Sequence, residues 1–182
     1  TMRAMEVKGI YDRGQPLVQL GIVVATSLSL AIVPLVALKA KATNGRGAKP
    51  FIQLTYRSSL LFGVAAALGL ILVMPYVNTL LFKTDSHSNT LRLYAVQIVP
   101  LSIILTFTAV LQGYSKLKIP ALFLAGSIAL KYIGNVVFVP SLGVLGAAIA
   151  SNIGLFFAAV ALVIYLKQLT AIRLAQMKFY KK

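Results

Sequence analysis

The sequence predicts an all-α fold, a polytopic transmembrane helix bundle, and two observations support this. Of the 182 residues, 59% are hydrophobic and only 12% are charged, whereas a soluble domain is roughly half apolar and about a quarter charged. The apolar residues also gather into five long runs, which a core of this size cannot bury. Lipid suits such a surface, and helices satisfy every backbone group there.

Each of the five apolar runs is long enough to cross a bilayer. A spanning helix needs about 20 residues, and the runs have 21 to 25 each. None alternates apolar and polar residues with the period of two that a membrane β-strand requires. In chain order, spans one to five are 17–38, 58–82, 93–113, 119–139 and 142–166.

Several spans contain residues that disturb a plain apolar helix. A proline removes one backbone donor and predicts a kink, and spans one to three contain Pro34, Pro75 and Pro100. Polar residues inside a span should face neighbouring helices or a wet cavity. They are Gln19, Thr26, Ser27, Ser29, Asn78, Gln97, Gln112, Asn135, Ser151 and Asn152.

Spans one and five begin alike. Gly21 and Ala25 in span one, and Gly146 and Ala150 in span five, form small-xxx-small faces that permit close helix packing. One interpretation of this similarity is an internal repeat of the kind found in transporters. The alternative is chance similarity between two spans that are rich in Ala and Gly.

The basic residues between the spans predict the topology. The net charge is +15, and five basic residues lie in 39–57 and five in 167–182, whereas 140–141 has none. The positive-inside rule therefore places 39–57, 114–118 and 167–182 in the cytoplasm, and 83–92 and 140–141 outside. We expect a multi-pass protein of the bacterial plasma membrane.

The two ends of the chain carry further expectations. The topology puts the N-terminal segment outside, which predicts at least one more span upstream and hence a fragment. A secretory signal peptide is the rival interpretation of span one, since AKA at 40–42 resembles a cleavage site. Span one is long for a signal peptide, and the basic loop after it favours the cytoplasm. The tail 167–182 predicts a basic amphipathic helix on the inner leaflet, either a surface anchor or a docking element.

Composition argues against several classes of function. The chain has no cysteine and a single histidine, His87, in the polar stretch TDSHSN. No catalytic constellation, metal-ligand cluster or phosphate-binding loop is present, so we expect no enzyme activity and no cofactor. A nucleic-acid binder would gather its basic residues on a hydrophilic face, but here they lie between apolar runs.

The charges near and within the spans predict an anion site. Lys131 lies inside span four, and Arg13 and Arg92 lie at or near the outer ends of spans one and three. In a bundle, these three residues would surround the outer half of a cavity and attract an anion such as phosphate. The alternatives are that Lys131 snorkels to the headgroups and that Arg92 is an interfacial anchor. The spans contain no Asp or Glu, which cation-coupled carriers usually place in the membrane.

Three stretches of the chain resemble a known family. Residues 8–37, KGIYDRGQPLVQLGIVVATSLSLAIVPLVA, are similar to the first helices of the second lobe in the polysaccharide-exporter branch of the MATE-like (MOP) superfamily. They most resemble the SpoVB/YtgP group, relatives of MurJ-type lipid II flippases. Residues 111–123 and 140–154 are similar to the same group, so the resemblance covers nearly all of the chain.

The resemblance implies a two-lobed bundle that flips undecaprenyl-diphosphate-linked sugars, of which this chain supplies part of the second lobe. Within Tyr11-Asp12-Arg13, the family's arginine lines the central cavity and engages the lipid diphosphate. The resemblance implies the same role for Arg13 and a supporting role for Asp12. Gln15 follows these residues in this group's version of the motif. Lys131 and Arg92 rest on charge alone. The implied partners are the lipid-linked glycan, membrane lipids and the first lobe of the same protein, with no nucleic acid.

Two alternatives to a flippase stay open. A cation-coupled MATE-type multidrug exporter requires a carboxylate in the first lobe, and it would export cationic dyes. A non-transporting membrane scaffold would recruit cell-wall enzymes through 167–182, and it would tolerate the loss of Arg13 or Lys131.

Overall fold

The computed structural model describes residues 49–82 and 88–170, together with several helical positions between Pro16 and Leu38. The helical positions in that first segment are 16, 18, 19, 21–23, 26, 27, 34 and 38. The described residues 49–82 and 88–170 contain five helices. In chain order they are α1 (Lys49–Phe82), α2 (Ser88–Ala95), α3 (Ile98–Gly113), α4 (Lys118–Leu142) and α5 (Val144–Thr170).

The all-α prediction is confirmed, because the described part of the chain is helical with no strand. Four of its helical segments are long and apolar enough to cross a membrane, and they coincide with spans two to five. They are Pro50–Val77, Thr90–Gly113, Lys118–Leu142 and Val144–Leu169. Helix α1 has 34 residues and is about 51 Å long, which exceeds the bilayer core of about 30 Å. It therefore starts before span two, inside the predicted loop 39–57.

Helix α3 lies at the centre of the bundle and is its most buried spanning helix. It packs against α1 on one side and α5 on the other, whereas α4 packs mainly on α5. Between α1 and α3, the rings of Tyr56 and Phe107 stack with centroids 5.5 Å apart, and the hydroxyls of Ser59 and Thr106 share a hydrogen bond. The outer surfaces of α1 and α4 expose large apolar side chains such as Leu72 and Val136, as expected in lipid.

One apolar cluster joins the helix ends that the loop charges assign to the same side. Buried side chains from the start of α1 and the ends of α3 and α5 form it, and Ile119 at the start of α4 packs against it. Its members include Ile52, Leu111, Leu162 and Leu166. Residues 114–118, the start of α1 and the end of α5 therefore lie at one end of the bundle. That this end is cytoplasmic stays a prediction.

Helices α4 and α5 approach closely along a line of small residues. A methyl group added at Gly134 would lie 2.8 Å from Cβ of Ala150, and one added at Gly146 would meet the Phe138 carbonyl. The small-xxx-small pattern at Gly146 and Ala150 is thus a packing face against α4. Whether it reflects a repeat with span one stays a prediction.

Gly143 makes the turn between α4 and α5 in a conformation that other residues avoid. Its backbone has φ 57° and ψ −128°, and its N–H donates to the Val139 carbonyl at 2.9 Å. A side chain here would meet no neighbouring atom within 4 Å, so the need for glycine lies in the backbone alone.

We expect Gly143→Ala to lower the free energy of unfolding by about 1–3 kcal/mol, the usual cost of such a backbone conformation for a residue with a Cβ. Thermal unfolding of the purified protein in detergent measures the change. Gly69→Ala is the matched control, since a methyl group there also meets nothing within 4 Å but the backbone is helical. The control should be stabilised by about 0.5–1 kcal/mol. Equal effects at both positions would contradict the backbone explanation.

Candidate functional site

Span three is a broken helix, because α2 ends at Ala95 and α3 begins only at Ile98. Across the break, the Gln97 N–H donates to the Tyr94 carbonyl at 3.0 Å and the Val99 N–H to the Val96 carbonyl at 3.2 Å. Both bonds reach back three residues, as in a tighter turn than the α-helix. Pro100 explains the position, since it lacks the N–H that would bond to the Val96 carbonyl and its ring crowds that carbonyl.

Asn152 of α5 bonds to a carbonyl at the break. Its Nδ2 donates to the Leu93 carbonyl at 3.0 Å, and the same nitrogen lies 3.0 Å from the Ala148 carbonyl within α5. In a continuous helix the Leu93 carbonyl would accept from the N–H of Gln97. A break at membrane depth requires such a replacement, and a buried side chain of the neighbouring helix provides it.

A cavity of about 340 Å³ lies next to the break. It is bounded by α3, α4 and α5, by Gln97 of the break and by the helical positions Val18, Gln19 and Ile22. Leucine and isoleucine side chains form much of the wall, and the polar lining residues are Gln19, Gln97, Ser127, Lys131 and Ser151. A cavity with apolar walls and a few convergent polar groups is the usual form of a ligand site.

Two of the polar lining residues are deeply buried. Gln97 is 5% exposed and Ser151 is 3% exposed, and Gln97 Nε2 and Ser151 Oγ have no hydrogen-bond partner among the described residues. Leaving a buried polar atom unsatisfied costs about 1–3 kcal/mol, so folded proteins have few of them. Two such atoms at one cavity are available to a polar ligand.

Lys131 brings a positive charge to the cavity from the middle of α4. The helix extends beyond span four to Leu142, so Lys131 lies about 16 Å from that end and about 20 Å from the start at Lys118. This depth disfavours the snorkelling alternative, because the lysine stem is much shorter than either distance. Within the part of the chain that the structure describes, no acidic residue lines the cavity.

Gly154 allows α4 and α5 to approach each other beside this charge. A methyl group added at Gly154 would lie 2.6 Å from the Ser127 carbonyl and 3.5 Å from Cβ of Lys131. A larger residue would push the helices apart, and with them the two walls that carry Lys131 and Ser151.

The other predicted site residues are distributed differently. Asp12, Arg13 and Gln15 lie outside the described residues. Arg92 is partly buried on α2 and is not among the residues that line the cavity. The proposal that Arg92 and Lys131 share a site with Arg13 stays a prediction.

The sequence predicted some of the polar cavity residues and not others. The charge of Lys131 marked it as a site residue, and Gln19, Gln97 and Ser151 were noted only as polar positions facing a neighbour or a cavity. Ser127 was missed, because serine is common at helix–helix contacts in membrane spans and only the packing places this one at the cavity.

Comparison with known proteins supports the membrane assignment. No protein-family model matches the chain, and no solved structure matches it. The chain is 36% identical over 155 residues, 85% of its length, to the "Uncharacterized membrane protein YabM" of Bacillus subtilis (strain 168). The chain is a helical membrane protein. It spans 29% of the length of that relative.

Proposed function

We propose that the protein is a transporter that flips undecaprenyl-diphosphate-linked sugars across the plasma membrane by alternating access, in cell-wall or polysaccharide synthesis. The observation that carries the proposal is the helix break at Val96 and Gln97, which lies beside a cavity with apolar walls and a few polar groups, Lys131 among them. The break lies about 9 Å from the Thr90 end of its spanning segment, and discontinuous helices that border a substrate cavity are a feature of transporters.

The charge of the described residues favours an anionic substrate. All three acidic residues of the chain, Glu6, Asp12 and Asp85, lie outside the described residues, so every formal charge in the described part is positive. A lipid diphosphate would be attracted to such a bundle, whereas a cationic drug would be repelled. The resemblance around Arg13 supplies the choice of a polyprenyl-linked sugar, with the rest of the protein supplying the other lobe.

The test is depletion and complementation in cells that depend on the full-length gene, with exposure of the lipid-linked glycan on the outer face as the measurement. We expect Arg13→Ala to reduce exposure at least about tenfold, since a charge-assisted contact with phosphate contributes about 1.5–3 kcal/mol. Lys118→Ala, which removes an exposed positive charge at the opposite end of α4 from the turn at Gly143, is the control and should leave exposure unchanged.

Protein abundance is measured for both variants, so that a loss of expression is not read as a loss of transport. Normal exposure with Arg13→Ala would remove Arg13 from the substrate site. Export of cationic dyes by the wild type would favour the multidrug-exporter alternative. Loss of function only on deletion of 167–182 would favour the scaffold.

A further inference from the structure

We propose that the cavity between α3, α4 and α5 is filled with water that bonds to Gln97 and Ser151 beside the helix break. This inference goes beyond the proposed transport activity, because it concerns the solvent at the break and holds whether or not the protein flips a glycan. It rests on the polar atoms at the break, the size of the cavity and its opening to the surface of the bundle.

Two side chains at the cavity have buried polar atoms that water would satisfy. Gln97 comes from the helix break and Ser151 from α5, and both line the cavity. Neither Gln97 Nε2 nor Ser151 Oγ has a hydrogen-bond partner in the part of the chain that the structure describes. An amide nitrogen donates, whereas a hydroxyl both donates and accepts, and a buried water typically makes about three such bonds. Water is therefore a ligand that would pair both atoms.

The helix break adds a third polar atom. The Asn152 side chain donates from Nδ2 to the Leu93 carbonyl at 3.0 Å, but its Oδ1 is buried and has no partner among the described residues. Non-helical backbone at membrane depth is tolerated where it is enclosed by protein or lines a water-filled cavity. Because Gln97 belongs both to the break and to the cavity lining, water in the cavity would lie next to the interrupted backbone.

The cavity is large enough and polar enough to hold water. Its volume is about 340 Å³, whereas one water molecule takes up about 30 Å³ in the liquid. A cavity lined only by apolar side chains stays dry, but here Gln97, Ser127 and Ser151 bring polar groups from three elements. Two other lining residues, Gln19 and Ile128, are exposed at the surface of the bundle, so the cavity is open at its edge and water can enter.

The test is the reactivity of a thiol placed in the cavity. The chain contains no cysteine, so Ser151→Cys gives a protein with a single thiol, about 10 Å along α5 from Val144. The full chain is reconstituted into phosphatidylcholine nanodiscs and treated with sulfonatoethyl methanethiosulfonate, a charged reagent that does not enter lipid. The thiolate attacks the reagent, a mixed disulfide forms and methanesulfinate leaves, and mass spectrometry of the intact protein measures the rate.

Ile153→Cys is the matched control. Ile153 lies about 3 Å further along the same helix, but its side chain is exposed at the outer surface and does not line the cavity, so a thiol there would face lipid. Only the thiolate reacts, and a charge is unfavourable in lipid. We therefore expect Ser151→Cys to react at least about tenfold faster than Ile153→Cys. If Ser151→Cys does not fold, Ser127→Cys places the thiol in the cavity from α4, with the same expected result.

Two results would overturn the inference. Equally slow reaction of the cavity thiol and the Ile153→Cys thiol would mean that the cavity is dry, and equally fast reaction would mean that water reaches α5 from every side. Labelling of the denatured proteins checks that each thiol is present. The outcome is separable from that of the transport assay. A reactive cavity thiol in a protein that does not flip would leave this inference and remove the proposed function, and an unreactive one in a protein that flips would do the reverse.

Discussion

Gly154→Leu is expected to prevent the close packing of α4 on α5 and to leave little folded protein. At this position even a methyl group would lie 2.6 Å from the backbone carbonyl of Ser127. A carbonyl of a neighbouring helix moves only if the whole helix moves, unlike the end of a flexible side chain. Overpacking typically costs about 1–3 kcal/mol, and we expect Gly154→Ala to fall in that range and Gly154→Leu to exceed it.

Thermal unfolding in detergent, together with the yield of monodisperse protein, measures the effect. The matched control is Gly69→Leu, because Gly69 lies on a spanning helix where an added methyl group meets nothing within 4 Å. The control should fold normally. A stable Gly154→Leu protein would mean that α4 and α5 are free to separate, and the cavity walls would then have no fixed spacing.

Spans two to five were predictable from sequence, because hydropathy and length report directly on the lipid boundary. Span one lies mostly outside the described residues and stays a prediction. The ends of the helices were not predictable. Helix α1 starts at Lys49, whereas span two starts at 58, because a helix continues through basic residues into the headgroup region and hydropathy detects only the membrane boundary. Helix α4 likewise continues past 139 to Leu142, through Pro140.

The prolines show that sequence predicts where a helix is disturbed but not whether the helix continues or breaks there. Pro75 and Pro100 each predict a kink from the missing donor. Helix α1 continues as one helix through Pro75, whereas the helix before Pro100 is interrupted at Val96 and Gln97. At Pro100 the asparagine of a neighbouring helix, Asn152, bonds to the Leu93 carbonyl. Such a partner depends on tertiary packing, which a single span does not encode.

The candidate site was predictable in its charge and not in its geometry. An intramembrane lysine is rare enough to mark Lys131 from sequence alone. Its neighbours follow from the way α5 packs on α4, which Gly154 controls. The amide of Gln97 belongs to the site because the helix break at residues 96 and 97 lies beside the cavity. The packing at Gly154 and the position of the break beside the cavity both depend on how neighbouring helices pack, which the sequence of a single span does not reveal.

Pro100→Ala should make the protein more stable and less active. Alanine restores an N–H that can bond to the Val96 carbonyl, and replacing proline within a helix gains up to about 3 kcal/mol. A continuous helix from Thr90 to Gly113 would pair the Leu93 carbonyl with the Gln97 N–H, and Asn152 would lose that acceptor. The Gln97 side chain would then turn with the helix and leave its place at the cavity.

We therefore expect a higher unfolding temperature, slower amide hydrogen exchange at Gln97, and at least about a tenfold loss of glycan exposure in complemented cells. Pro75→Ala is the control, because Pro75 lies in a continuous helix and does not line the cavity. It should raise stability without loss of transport. Stabilisation by Pro100→Ala with full activity would show that the break is dispensable, and the proposal would then have to rest on the charge of Lys131 and the resemblance around Arg13. Loss of activity with faster exchange would point instead to local unfolding, because a helix made continuous protects the amides that it pairs.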